Sequence, residues 1–271
     1  MKSTITAVAV WSVLTGGPCA VAGAAPAAVG DTAGAVGEKT KQAVLSFGDD
    51  MRHLPRHIWE DVQALPDWKN AAALALGAGF AAYAREDRWD DDVRRDVRNH
   101  PDRFGRTAND VLDIVASGYT FYALSAATYG ASLFVENERL HDFSLDMVSA
   151  LTMELPVVFA MKKAFHTRRP NGGSDGFPSG HMAAAASFGA LLNRYYGPYA
   201  GAAGSAFAGI VAFHRIDARK HDLSDVIFGA ALGYVAGRTA GSVDELPLLK
   251  AQLLPLESEQ GARGLRLEWR F

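Results

Sequence analysis

Three cations, two histidines and a carboxylate recur at fixed spacings within one stretch of the chain: Lys162-x6-Arg169-Pro170, then Pro178-Ser179-Gly180-His181, then Arg215-x5-His221-x3-Asp225. Each cluster alone is weak. Their conjunction predicts a site for phosphoryl transfer. A phosphoryl group in transfer spreads its charge over equatorial oxygens, and a protein stabilises it chiefly with positioned donors. Lys162, Arg169 and Arg215 suit a dianion, and an arginine fork can hold two of its oxygens at once.

Ser179 and Gly180 stand between the Gly-rich loop Asn171–Phe177 and an apolar run beginning near Met182, which reads as a helix start. Such a start offers free backbone N–H groups and the positive end of the helix dipole, and Gly180 lets an oxygen approach closely. An ordinary capped turn explains Ser179 and Gly180 equally well, but gives no reason for His181. His221 and Asp225 are four apart, the spacing of neighbours on one helix face. A carboxylate that fixes the imidazole tautomer leaves the other ring nitrogen free to attack phosphorus. Out of this company, a His-Asp pair at that spacing would read as a surface salt bridge. His181 is then the acid for the departing alkoxide and the base for the water that follows. This division of labour predicts a phosphohistidine and no metal or other cofactor; zinc on the histidines is disfavoured because their motif neighbours are mostly cations.

On these residues the chain resembles the superfamily of type 2 phosphatidic acid phosphatases, bacterial class A acid phosphatases and vanadium-dependent haloperoxidases. The motifs in general form are Lys-x6-Arg-Pro, Pro-Ser-Gly-His and Ser-Arg-x5-His-x3-Asp. The match runs from Lys162 to Asp225, with flanking helices extending it to about 69–240. The resemblance implies an α-helical bundle, phosphate held by Lys162, Arg169, Ser179, Gly180 and Arg215, a nucleophile at His221 oriented by Asp225, and an acid at His181. One position departs: His214 stands where the motif has serine. Its N–H could serve the same oxygen, which makes His214 a further phosphate-binding candidate and puts the pH optimum in question. The expected function is metal-independent hydrolysis of a phosphomonoester or diphosphate, a lipid-linked one included. Two alternatives compete. One is a haloperoxidase, in which vanadate copies the trigonal-bipyramidal geometry, although such members are typically longer chains. The other is a non-catalytic relative that binds an anion or lipid, supported only by His214.

The elements that must position these residues are helix-length apolar segments at about 69–85, 108–134, 141–165, 181–195, 198–214 and 222–239, with almost no period-two alternation between them. An all-α bundle of about six core helices follows. In the tail, Leu265, Leu267, Trp269 and Phe271 alternate with charged residues, the pattern of one half-buried strand. Met1-Lys2-Ser3, an apolar run to Leu14 and Ala22-Gly23-Ala24 read as a secretory signal. The expected organisation is signal peptide 1–24, linker and short helices 25–66, helical domain 67–240 and tail 241–271. The one cysteine, Cys19, falls in the leader, so the mature chain would carry none, in keeping with export. The expected location is periplasmic or at the outer face of the inner membrane.

Lys+Arg 27 against Asp+Glu 30 leaves a net charge of −3, which argues against nucleic acid as a partner. The expected partner is a phosphorylated small molecule or lipid, with membrane association. Ile114–Val135 and Tyr195–Phe213 carry no charge and are long enough to raise the question of spanning. Their Ser, Thr, Tyr, Gly and Pro content and a mean hydropathy of −0.01 favour buried helices instead.

Overall fold

The computed structural model describes residues 29–101, 103–135 and 137–242, and the backbone of 251–257 and 263–269. The expected signal peptide and Cys19 lie outside the described residues. The helices are α1 (Val29–Ala64), α2 (Trp68–Glu86), α3 (Trp89–Asn99), α4 (Arg106–Val115), α5 (Gly118–Val135), α6 (Glu138–Phe165), α7 (Gly180–Tyr196), α8 (Pro198–Asp217) and α9 (Leu223–Thr239). Two strands, β1 (Ala251–Glu257) and β2 (Arg263–Trp269), pair antiparallel with Leu253 opposite Leu267. The alternating tail is thus one strand of a hairpin. Its partner carries Pro255, which removes a backbone donor and hides a strand from pattern reading.

The apolar segments become helices α2 and α5–α9 within a few residues, and the bundle is all-α apart from the hairpin. The run expected at 108–134 is two helices. Ala116 and Ser117 break it, and the Ser117 hydroxyl accepts from Thr120 N–H at 3.2 Å to start the second. Helix α3 has no counterpart among the expected segments because seven of its eleven residues are charged. Its apolar residues, Trp89, Val93 and Val97, recur at a spacing of four, and of these Val97 is buried while Trp89 is exposed.

Residues 25–66 were expected to hold a linker and short helices, and from Val29 they form one helix, α1, through Pro55. Proline inside a helix costs about 3 kcal/mol. Here it sits on the exposed side, and polar grips on the bundle offset the cost. The Tyr129 hydroxyl donates to Asp50 at 2.6 Å, and His141 Nε2 lies 2.9 Å from the same carboxylate oxygen. Deeper in, the Ser149 hydroxyl donates to Asp61 Oδ2 at 2.5 Å and Gly241 N–H to Asp61 Oδ1 at 2.9 Å. His57 Nε2 lies 2.9 Å from Asp146 Oδ1, and the Tyr195 hydroxyl donates to Asp146 Oδ2 at 2.5 Å. His57, Asp61 and Asp146 bring one potential ligand atom each within 4.8 Å. All four carboxylate oxygens already have a hydrogen-bonding partner, so the cluster reads as a clasp.

The clasp has a signed pH dependence. The hydrogen bond to Asp146 raises the His57 imidazole above 6.5 against the opposing effect of burial, and burial pushes the Asp61 carboxyl up to about 6. Both groups hold their protons more tightly when α1 is docked. The His57 contribution is full below 6.5 and fades as pH rises through its raised value, and the Asp61 contribution is full below 3.8 and fades through about 6. Limited proteolysis within α1 is therefore expected to be faster at about pH 8 than at about pH 5.5. Equal or reversed rates would contradict this assignment.

The core is shared by α5–α9, with Phe121, Phe143, Met147, Leu151, Leu191 and Val211 almost fully buried. Helices α7 and α9 run parallel and touch backbone to backbone. A β-carbon on Gly229, Gly233 or Gly237 would overlap the carbonyl of Ser179, Ala183 or Ser187 respectively. The two rows advance together in steps of four, so the N-termini of α7 and α9 lie side by side. Among the described residues one helix, Glu138–Phe165, is long and apolar enough to cross a membrane, with 56% of its apolar window buried inside the protein. The two uncharged stretches singled out from sequence are each interrupted, at Ala116–Ser117 and at Gly197.

Candidate phosphate-binding site

The motif residues come from one end of the bundle. Helix α6 delivers Lys162 in its last turn and stops at His166, which adopts a left-handed conformation (φ 48°). The loop to α7 folds on itself: Arg169 N–H donates to the Gly173 carbonyl at 2.8 Å, Gly176 N–H to Thr167 at 3.0 Å, and Phe177 N–H to the Thr167 hydroxyl at 2.7 Å. Space at Gly176 is tight, since a β-carbon there would lie 3.0 Å from Thr167 Oγ1 and 3.2 Å from Asp225 Oδ2. The carbonyls this loop turns inward anchor the cations. Lys162 Nζ donates to Asp175 at 2.6 Å and to Gly176 at 3.2 Å, and Arg169 Nη2 to Asp175 at 3.4 Å.

Ser179 is the N-cap of α7, its hydroxyl accepting from Met182 N–H, and its own N–H donates to the Asp225 carbonyl at 3.0 Å. Arg215 closes α8 and is buried, and the turn after it brings Lys220 N–H and His221 N–H onto the Arg215 carbonyl. His221 does not share a helix with Asp225 as the spacing suggested. It precedes the N-cap Asp222, while Asp225 is the third helical residue, and a capping box joins the two aspartates. His221 Nδ1 faces Asp225 Oδ2 at 3.3 Å, and Asp222 N–H donates to that oxygen at 3.1 Å. Capping and imidazole orientation thus use the same carboxylate.

Charge ties the clusters together. Burial first, and then Arg215, Lys162 and Arg169, drive the His221 imidazole well below 6.5, so it is neutral near pH 7. All three motif cations therefore lie near enough to act on one unprotonated histidine. Burial and then Arg169 lower Lys162 to about 8, and burial, Arg215 and His221 lower His181 to about 3. Burial raises Asp225 against the Asp222 N–H and Arg85, whose guanidinium is 3.7 Å from Asp225 Oδ1. Both Arg169 Nε and Arg215 Nε are buried donors without a hydrogen-bond partner among the described residues. A tetrahedral dianion beside His221 would supply the missing acceptors and offset the positive charge.

His214 lies beside Arg215 and faces α4. It is fully buried, neither ring nitrogen has a hydrogen-bond partner among the described residues, and its Nε2 lies 3.7 Å from Asp113 Oδ1 on α4. Burial, then Arg215 and Lys220, lower its titration against the opposing effect of Asp113. Sequence reading missed Asp113, Lys220, Arg85 and the carbonyls of Asp175 and Gly176. Backbone carbonyls leave no sequence signal, and Asp113 showed only as a lone acid within Val111–Val115.

Residues 150–242 match the family model of the PAP2 superfamily. The matched segment covers about a third of the chain. It holds every candidate site residue from Lys162 to Asp225. Over 94 residues the chain is 34% identical to a lipid A 1-phosphatase of Porphyromonas gingivalis, a match covering 33% of this chain and 21% of that protein. The chain thus matches about a fifth of the length of this curated relative. Among solved structures, the fold is shared with a transmembrane PAP2 type phosphatidylglycerolphosphate phosphatase from Bacillus subtilis, at a TM-score of 0.55 and 16% identity over 66% of this chain and 97% of that one. Aquifex aeolicus LpxE aligns with a TM-score of 0.47 and 21% identity over 56% of this chain and 93% of its own.

Proposed function

We propose that the chain is a PAP2-type phosphatase that hydrolyses a lipid-linked phosphomonoester or diphosphate through a phosphohistidine on His221, without a metal. The observation that carries the reading is a pair of buried guanidinium donors, Arg169 Nε and Arg215 Nε, without acceptors among the described residues, in a site where Lys162, Arg169 and Arg215 act on a buried, neutral His221. The names of the relatives, a lipid A 1-phosphatase and a phosphatidylglycerolphosphate phosphatase, support a lipid substrate. They also support action at a membrane, and the leader supports export to the periplasm or the outer face of the inner membrane.

In the first step His221 Nε2, opposite the nitrogen held by Asp225, attacks phosphorus. The P–O bond to the leaving group breaks, and the departing oxygen takes a proton from His181. In the second step water attacks the phosphorus, His181 accepts its proton, the N–P bond breaks and inorganic phosphate leaves. His181 must be protonated to begin, and as the groups stand it titrates at about 3. The bound dianion, set beside an imidazole now depressed by burial and by cations, raises it toward the working range. Acid–base catalysis of this kind contributes about 10²- to 10⁴-fold.

The test is phosphate release in excess EDTA from phosphatidylglycerol phosphate, phosphatidate, undecaprenyl diphosphate, an aryl phosphate and soluble nucleotides. Turnover of a lipid substrate faster than of nucleotides, unaffected by EDTA, is expected. Activity that disappears in EDTA and returns with a divalent cation would remove the metal-free mechanism, and no release from any substrate would remove the enzyme.

A further inference from the structure

Helix α4 lies outside the PAP2 segment, yet Asp113 reaches into the site. Asp113 Oδ1 accepts from Arg215 Nη1 at 2.5 Å, and Oδ2 accepts from Lys220 Nζ. His181 meets the Asp113 backbone, a contact that favours its protonated form. The buried His214 ring stands 3.7 Å from Oδ1. One residue therefore touches a phosphate clamp, the flanking lysine and the acid at once. Its carboxyl is held below the usual range: burial opposes ionisation, and Lys220 and Arg215 outweigh it.

We propose that Asp113 is a positioning residue of the phosphate site, fixing the Arg215 fork and balancing one of the site's positive charges so that product phosphate can leave. This rests on the phosphatase reading. A guanidinium has five donors in a rigid plane, and anchoring one corner orients the rest. Arg215 spends Nη1 on Asp113 and keeps Nε free of any partner among the described residues. The charge argument is separate from the orientation argument. Three motif cations act on His221, and Lys220 adds a fourth at the edge. Without Asp113 a dianion would be held more tightly at the end of the reaction, when it has to depart. Lys220 has the opposite effect, because it competes with Arg215 for the Asp113 carboxylate.

These opposed charges give an opposed pair of variants. Asp113→Asn keeps the shape and an acceptor for Arg215 and removes the charge. Inorganic phosphate is expected to bind it about tenfold more tightly by calorimetry, the scale of one partly solvated charge at this range. Its kcat and KM should fall together, and Asp113→Glu should restore kcat toward that of the parent. Lys220→Met leaves Asp113 to neutralise Arg215 alone and is expected to weaken phosphate binding. A role confined to docking α4 would move both variants in one direction along with their melting temperatures. Weakened or unchanged phosphate binding in Asp113→Asn would overturn the proposal, and if that variant fails to fold, unchanged or tightened binding in Lys220→Met would do so. If the parent protein binds phosphate and hydrolyses esters but the pair does not diverge, only this inference fails. If the parent does neither, the phosphatase reading fails with it.

Discussion

His221→Ala is expected to lower kcat/KM for phosphate release by about 10⁴-fold or more, the scale on which an enzyme loses a nucleophile that acts as one unit with its partners. The variant should still fold. The imidazole is buried among cations that disfavour its charged form, and its 3.3 Å contact with Asp225 is long, so little net stability is lost. Phosphate should still bind, because Lys162, Arg169 and Arg215 remain. Rapid quenching of the parent protein under alkaline conditions should trap an acid-labile phosphoenzyme that is missing in the variant. Activity within tenfold of the parent would remove the covalent mechanism.

Gly233→Val is expected to cost about 3 kcal/mol or more in unfolding free energy, at or above the upper end for added bulk in a packed interior. The usual escape, a change of rotamer, is closed here. The obstacle is the Ala183 carbonyl, part of the α7 backbone, so the two helices would have to separate. Separation would also part Ser179 N–H from the Asp225 carbonyl and pull apart the two ends that carry His181 and Asp225. Gly79 on α2 provides the control. It is exposed with nothing within 4 Å of a would-be β-carbon, and Gly79→Ala should stabilise by about 0.5–1 kcal/mol through helix propensity. Denaturant unfolding of both variants checks the contrast, and a Gly233→Val protein as stable as the parent would refute the close packing.

The site was legible in sequence wherever chemistry demanded a side chain at a spacing. Lys162, Arg169, Ser179, His181, Arg215, His221 and Asp225 could be named together because cations, a helix start and a His-Asp pair each have a residue signature. In the structure three of those cations act on His221. The geometry inside the third cluster was not legible. A spacing of four fits a helical turn and also fits a residue just before a helix reaching its third position, and only the Asp222 capping box separates the two. Asp113 was illegible for another reason: its partners lie 102 and 107 residues away, and nothing local marks it as theirs. Helix α3 was hidden by its charges, and α1 by Pro55 and a run of small residues that composition alone assigns to a linker.

The directions of three helices give the molecule a polarity. Helix α6 ends at the site, whereas α7 and α9 begin there, so Lys162, His181 and Asp225 lie at one pole. The clasp residues Asp146, Tyr195 and Gly241 belong to the other ends of the same helices. The 17 residues of α9 put roughly 25 Å between the poles. Whatever follows Gly241 leaves the bundle from the pole remote from the chemistry. Attachment just after Gly241, to a fusion partner or a surface, would therefore hold the bundle by the pole that carries the clasp and not by the one that carries the chemistry.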